Sequence, residues 1–169
     1  MRHRGSACCY FPDAPGLPYG QKLRPRRMAI AERLLWWRWM DAHRHAFDLV
    51  WYDAHIPRDL GTLITPHCHD ETHEQALMRC WQMATCLRAD VIAMSGGTYT
   101  IIEIHLGATE DNYGRLLRYD WLARQHWPQL TWTNPILLTD RPPAVPIAHG
   151  GEWERIRVEL GPDLVPMHG

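Results

Sequence analysis

Residues 88 to 122 constrain the fold of this chain more than any other stretch, because two apolar runs there flank a tight turn. The run that follows Asp90 is short and apolar, and Gly96 and Gly97 supply the positive φ angles that a two-residue hairpin turn requires. Residues 99 to 106 then return as a strand rich in β-branched and aromatic side chains. The sequence therefore predicts an antiparallel hairpin that leads into a helix.

Two acidic residues, Asp90 and Glu103, are expected to meet across this hairpin. Antiparallel pairing around the glycine turn brings them close to each other on the ladder. Two carboxylates in contact repel each other unless a positive group lies between them. We therefore expect either a divalent cation or a basic side chain beside the pair, and Arg88 and Arg118 are the candidate basic residues.

The pattern of an acid, a hairpin, a second acid two residues before a basic position, and a helix resembles the core of the restriction-endonuclease-like, or PD-(D/E)XK, superfamily. Residues 101–105, Ile-Ile-Glu-Ile-His, and residues 114–119, Gly-Arg-Leu-Leu-Arg-Tyr, carry the resemblance. They are similar to small phage-encoded members in which a Glu-Val-Lys strand precedes a Gly-Gln-Leu-Leu-x-Tyr helix. The similarity extends over roughly residues 70 to 160. His105 stands where the family carries lysine, and Arg115 stands where glutamine is common.

The resemblance implies an α/β fold with a mixed central sheet flanked by helices, and a metal-dependent nuclease site. In an active member, Asp90 and Glu103 hold Mg²⁺, and the third motif residue orients the attacking water. Glu74 or Glu71, in a helix before the hairpin, is the candidate early acid. His105 shares a strand face with Glu103, but it is mostly neutral near pH 7 and shorter than lysine, so any activity is expected to be handicapped.

The remaining chain predicts further helices and strands. Residues 28 to 43 are apolar over most of a helical circumference, which predicts a helix buried on more than one side. Strands are predicted at residues 46 to 52, 135 to 139 and 153 to 160, and a helix at residues 113 to 126. This order of elements favours a single α/β domain.

Length and composition favour one cytoplasmic domain. The 169 residues can bury a core, and the formal net charge is −1, with Lys22 as the single lysine. Strong nonspecific attraction to nucleic acid needs net or clustered positive charge, so this net charge argues against it. Neither an apolar run of membrane-spanning length nor the core of a signal peptide is found. The five cysteines lack CxxC spacing, which suits reduced thiols.

Residues 1 to 27 are predicted to form an extended arm in front of a domain of residues 28 to 169. Proline and glycine recur too often in the arm for a helix or a central strand. Because the arm cannot bury a core of its own, we expect contacts with another subunit to order it, with packing on its own domain as the alternative. The expected anchors are the apolar residues between the prolines: Tyr10, Phe11, Leu17, Tyr19 and Leu23.

Residues 65 to 73 are the part of the chain richest in metal ligands. A predicted helix begins near their end, with His69 just before it and His73 one turn inside. Histidines at this spacing can share a zinc ion, with His67 or Cys68 as a further ligand. No second cluster at metal-site spacing follows, so a polar helix start is the alternative interpretation.

The features favour a non-catalytic structural subunit of a larger assembly. His105 replaces the expected lysine, the net charge is low, and the arm and the nine tryptophans suit subunit contacts. The phage resemblance makes a virion component of the portal, neck or tail, assembled in the host cytoplasm, the specific hypothesis. It needs no cofactor and no membrane, and its partners are copies of itself and other subunits, with DNA not required. A Mg²⁺-dependent nuclease that uses Asp90 and Glu103 is the alternative.

Overall fold

The computed structural model describes residues 11–12, 15–25, 27–58, 60, 72–141 and 152–161. None of the helices in these ranges is long and apolar enough to cross a membrane. The elements in chain order are β1 Leu17–Pro18, α1 Ile30–Ala42, β2 Leu49–Ile56, α2 His73–Thr85, β3 Leu87–Ser95, β4 Thr98–His105, α3 Glu110–His126, β5 Thr131–Trp132, β6 Ile136–Thr139, a 3₁₀ helix Glu152–Arg155, and β7 Arg157–Leu160.

A seven-stranded mixed sheet forms the centre of the fold, with the strand order β1-β2-β3-β4-β6-β7 and with β5 paired to β4. Strands β1 to β4 are antiparallel neighbours, whereas β5 and β6 run parallel to β4, and β7 runs parallel to β6. Helix α3 provides the long crossover that two parallel strands require. Gly96 and Gly97, with φ angles of 55° and 82°, make the turn between β3 and β4. The predicted α/β class with a mixed sheet flanked by helices is confirmed.

The two faces of the sheet are covered by different helices, which gives three layers. Helix α3 packs on one face through Tyr113, Leu116, Tyr119, Leu122 and Ala123. Helix α1 packs on the other face through Leu35, Trp36, Trp39 and Met40. The apolar side chains of the strands between them form the core, because neighbouring positions along a strand point to opposite faces.

Helix α1 is buried along one stripe, and not on more than one side as its composition predicts. Ile30 and Leu34 on its outer side are 69% and 39% exposed. Inside, the indole of Trp36 donates a hydrogen bond to the Tyr52 hydroxyl at 3.1 Å. The buried tryptophan side chains of this helix therefore fill the space between α1 and the sheet.

Part of the predicted arm belongs to the domain. Leu17 and Pro18 form β1 and pair with β2 at the edge of the sheet. Tyr19 and Leu23 pack against the core under α1, while Tyr10 lies outside the described residues. The domain therefore begins before residue 28, and these anchors contact their own chain.

Phe11, a residue of the predicted arm, is buried, with 3% of its surface exposed. Its ring lies 4.9 to 5.8 Å, between centroids, from four aromatic rings of the domain: Trp51, Tyr99, Trp127 and Trp132. Three of these contacts, all except the tilted one with Trp132, are edge-to-face, and such contacts add to the stabilisation that burial alone provides. Phe11 therefore anchors the chain before β1 to the α3 side of the sheet.

A buried ion cluster joins α3 to the segment before β7. The carboxylate of Asp120, 2% exposed as a residue, accepts hydrogen bonds at 2.9 Å from Arg124 and from Arg155. Arg124 also donates to the carbonyl of Thr133 at 2.7 Å. The cluster thereby connects α3 to the 3₁₀ helix and to the segment between β5 and β6.

We expect Asp120→Asn to destabilise the protein by about 2 kcal/mol, because hydrogen bonds to a charged group contribute roughly 1.5 to 3 kcal/mol each and the amide keeps the side-chain volume. Lys22→Ala is the matched control, since the Lys22–Asp41 ion pair is exposed and such pairs contribute at most about 1 kcal/mol. Urea unfolding of the two variants measures the difference. An equal, small loss in both would show that the buried cluster adds no stability.

Candidate active site

The regular alternation of side chains between the two faces of the sheet is interrupted in both β2 and β3, at positions that lie opposite each other. Asp53 has a φ of 50°, a left-handed conformation that aspartate tolerates better than most residues. Tyr52 packs on the α1 side, whereas Ala54, two positions on, packs on the α3 side. The ladder pairs on either side of this level are Tyr52–Val91 and Ala54–Ala89. Asp53 and Asp90 therefore lie opposite each other where the alternation breaks, and such backbone irregularities cluster at functional sites.

The predicted acid pair forms at the same level on the other side of β3. Val91 pairs with Ile102, so Asp90 lies opposite Glu103. The two carboxyl groups share a hydrogen bond, and the Ile104 amide donates to Asp90 Oδ2 at 2.9 Å. Glu103 is 4% exposed, and its Oε1 has no partner in the described part of the chain. The structure thus brings together the two acids that the sequence singles out.

The environment of the pair favours the protonated carboxyl. Burial raises the pKa of Asp90 to about 6, against the opposing effect of the Ile104 amide, and the charges of Glu32 and Asp53 raise it further. Burial and then the charge of Asp90 raise the pKa of Glu103 well above its usual value. The pair therefore retains a proton near neutral pH unless a cation takes its place.

His105 is held by Glu32, an acid that sequence analysis does not identify as a site residue. The Nδ1 atom of His105 lies 3.1 Å from Glu32 Oε1, and Glu32 Oε2 accepts a hydrogen bond from the Ala29 amide at 3.0 Å at the start of α1. The only sequence signal for Glu32 is its place in the polar stripe of α1, which indicates solvent exposure. Its proximity to the acid pair arises from the packing of α1 on the sheet.

Arginines line the pockets beside the acid pair. A pocket of about 340 Å³ contains Asp53 and Asp90, with Arg27, Arg58 and Arg88 among its lining residues. A neighbouring pocket of about 710 Å³ shares its border with the first and adds two arginines of α3, Arg115 and Arg118.

None of these five arginines takes part in an ion pair among the described residues. Arg88 and Arg118 therefore form no ion pair with the acids. The charge of Arg115 does act on Glu103, where it lowers the pKa against the larger effects of burial and of Asp90. Burial, followed by the charges of Arg88 and Arg27, lowers the pKa of His55 to about 4. The site thus places positively charged arginine side chains beside an acid pair that retains a proton.

The other predicted site residues do not join this group. Glu74 is exposed near the start of α2, and ten helical residues, or about 15 Å, separate it from Ala84 at the pocket wall. His73, also exposed, is the first residue of α2, and Thr72 caps the helix by accepting a hydrogen bond from Gln75. Glu71, His67, His69 and Cys68 lie outside the described residues, so the zinc site stays a prediction.

The acid pair fits a cation of the Mg²⁺ type as a two-ligand site. In the described ranges, no group of three or more histidine, cysteine or acidic side chains is placed to hold a metal ion. Mg²⁺, however, is commonly bound by one or two carboxylates together with water and substrate phosphates. The unpartnered Oε1 of Glu103 and the adjacent Asp90 carboxyl supply such ligands.

Comparisons with protein-family models, curated proteins and solved structures found no match for this chain. The resemblance to the restriction-endonuclease-like superfamily therefore stays a prediction from the hairpin and helix motifs. The chemistry has to be argued from the side chains of the site, because a fold alone does not specify a function.

The acid pair makes stability fall as the pH rises. A folded-state pKa above the unfolded value means that the folded protein binds more protons, so stability decreases from about pH 4 through the raised pKa of Asp90, about 6. We expect Glu103→Gln in EDTA to be more stable than the wild type above pH 7, by on the order of 1 kcal/mol, and to depend less on pH. Urea unfolding at several pH values checks this.

Mg²⁺ should stabilise the wild type above pH 7 and leave Glu103→Gln unchanged, because the cation replaces the missing proton only where both carboxylates remain. Parallel pH profiles for the two proteins would show that the pair does not titrate as described.

Proposed function

We propose that this protein is a divalent-cation-dependent nuclease that uses Asp90 and Glu103. The observation that carries the proposal is the buried contact between these two carboxyls, placed beside arginines that form no ion pair in the described part of the chain. Two buried acids in contact cost stability, and perturbed groups of this kind concentrate at functional sites. A cation for the acids and a phosphate for the arginines would satisfy both sets of charges.

Each residue of the site has a role in this proposal. Asp90 and Glu103 bind the cation, which when bound polarises a phosphoryl oxygen and lowers the pKa of water. The Ile104 amide fixes the orientation of Asp90, and Glu32 fixes that of the His105 imidazole. Arg88, in the same pocket as Asp90, presents a planar guanidinium that matches the geometry of a phosphate group.

The low net charge does not oppose binding to nucleic acid, because the positive charge is clustered. Several basic residues elsewhere are neutralised, including Lys22 by Asp41 and both Arg124 and Arg155 by Asp120. The arginines around the acid pair form no such pairs among the described residues. A local field of this kind attracts a polyanion even where the whole chain is close to neutral.

Cleavage of DNA with Mg²⁺ or Mn²⁺ tests the proposal. We expect nicking of supercoiled plasmid or degradation of single strands that EDTA abolishes, and a loss of at least about a hundredfold in Glu103→Gln and Asp90→Asn, because both remove a cation ligand. Asp41→Asn, an exposed acid far along α1, is the matched control. His105→Lys should raise the rate, since lysine carries a permanent charge and reaches further.

Absence of cation-dependent cleavage in both the folded wild type and His105→Lys would contradict a nuclease function.

A structural subunit of a larger assembly, in its specific form a phage virion component, is the second proposal. Its support is the apolar surface of α2, where Leu77, Met78 and Trp81 are 58%, 54% and 62% exposed. Exposed apolar side chains grouped on one helix suit a protein partner. The arm lends it less support, because Phe11 and Leu17 pack on their own domain.

Sedimentation separates the two proposals. The assembly proposal expects multimers at micromolar concentration that dissociate in Trp81→Lys, because the substitution places a charge in an apolar contact. Arg44→Ala, on the exposed turn after α1, is the control. A chain that stays monomeric at every concentration contradicts a multimeric subunit.

A further inference from the structure

We infer that the pocket formed by Arg58, Arg115 and Arg118 is a second phosphate-binding site, which takes the phosphate of a nucleotide next to the cleaved bond. The place of this phosphate beside a cleaved bond rests on the proposed nuclease function. The binding of a polynucleotide strand by the pocket does not.

The pocket adjoins the acid site. It has a volume of about 710 Å³ and lies between α3 and the start of β3. Arg58, Leu87 and Tyr119 line both this pocket and the smaller one that contains Asp90. A polynucleotide strand carries a charge at each nucleotide, so a strand with one phosphate at the acid pair has a second phosphate within reach of the neighbouring pocket.

The charges of the pocket favour an anion at one end. Arg115 and Arg118 are three residues apart on α3, so their side chains are neighbours on the helix surface and repel each other. Arg58 approaches the same space from the end of β2. Glu110 and Asp111 also line the pocket, and they lie about two turns before Arg118 and Tyr119 on α3. We therefore expect the phosphate near Arg58 and Arg118, away from these two acids. An anion there removes the repulsion among the guanidinium groups.

Gly114 keeps the floor of the pocket open. It lies within α3, where glycine destabilises a helix relative to alanine, and a Cβ atom built on it would meet nothing within 4 Å. Packing therefore does not require glycine at this position. A side chain added here would project into the space that the phosphate needs.

Binding of a fluorescein-labelled single-stranded oligonucleotide, followed by anisotropy in EDTA at low salt, tests the site without any cleavage. We expect Arg118→Ala to weaken binding about tenfold and to lower the salt dependence by about one ion, as the loss of one phosphate contact predicts. Gly114→Glu should weaken it at least as much by placing a carboxylate in the pocket. Arg44→Ala, which lies on the exposed turn after α1 and outside the pocket, is the matched control and should bind like the wild type.

The outcomes separate this inference from the nuclease proposal. Selective loss of binding in Arg118→Ala and Gly114→Glu supports the phosphate site even if no cleavage is ever seen. Equal affinity of all variants overturns it even if the wild type cleaves DNA. Arg118 is exposed, so its substitution leaves the fold intact, and circular dichroism confirms folding of the glutamate variant.

Discussion

The pairing of β3 with β4 is the contact on which the rest of the site depends. The two-glycine turn fixes their register, and the register sets Asp90 against Glu103. Strand β3 also pairs with β2 on its other side, so Asp53 arrives at the same level. A slip of one residue in either ladder would turn one of these carboxyls to the opposite face. The hairpin therefore determines both the centre of the sheet and the position of the acids.

Two buried carboxyl sites in this chain show opposite solutions to the same physical problem. Asp120 is buried between two arginine side chains, so its charge is compensated within the fold. Asp90 and Glu103 contact each other without an ion pair to a basic side chain in the described part of the chain. Burial raises the pKa of both, although the charge of Arg115 opposes the shift at Glu103. The two ion pairs of Asp120 indicate a structural site, whereas the raised pKa values of the acid pair make it the functional candidate.

Sequence alone predicted the elements that depend on local pattern and missed those that depend on tertiary contacts. The hairpin and the contact between its acids follow from a glycine turn and strand periodicity. The interrupted side-chain alternation at Asp53 depends on a single residue with a left-handed backbone, which hydrophobic periodicity does not predict. Glu32 and the arginine pockets join residues far apart in the chain. The short strand β1 is formed by a Leu-Pro step that composition assigns to an arm.

The position of His105 couples the helix layer to the sheet. A lysine at this position would be longer and permanently charged, whereas an imidazole is a shorter group whose ring has to be oriented by a hydrogen-bond partner. Glu32 supplies that partner, and it is itself oriented by the Ala29 amide at the start of α1. The orientation of the His105 imidazole therefore depends on the packing of α1 as well as on β4, the strand that carries it. Helix α1 thus helps to fix the basic position of the site, whereas the β3–β4 ladder fixes the acid pair.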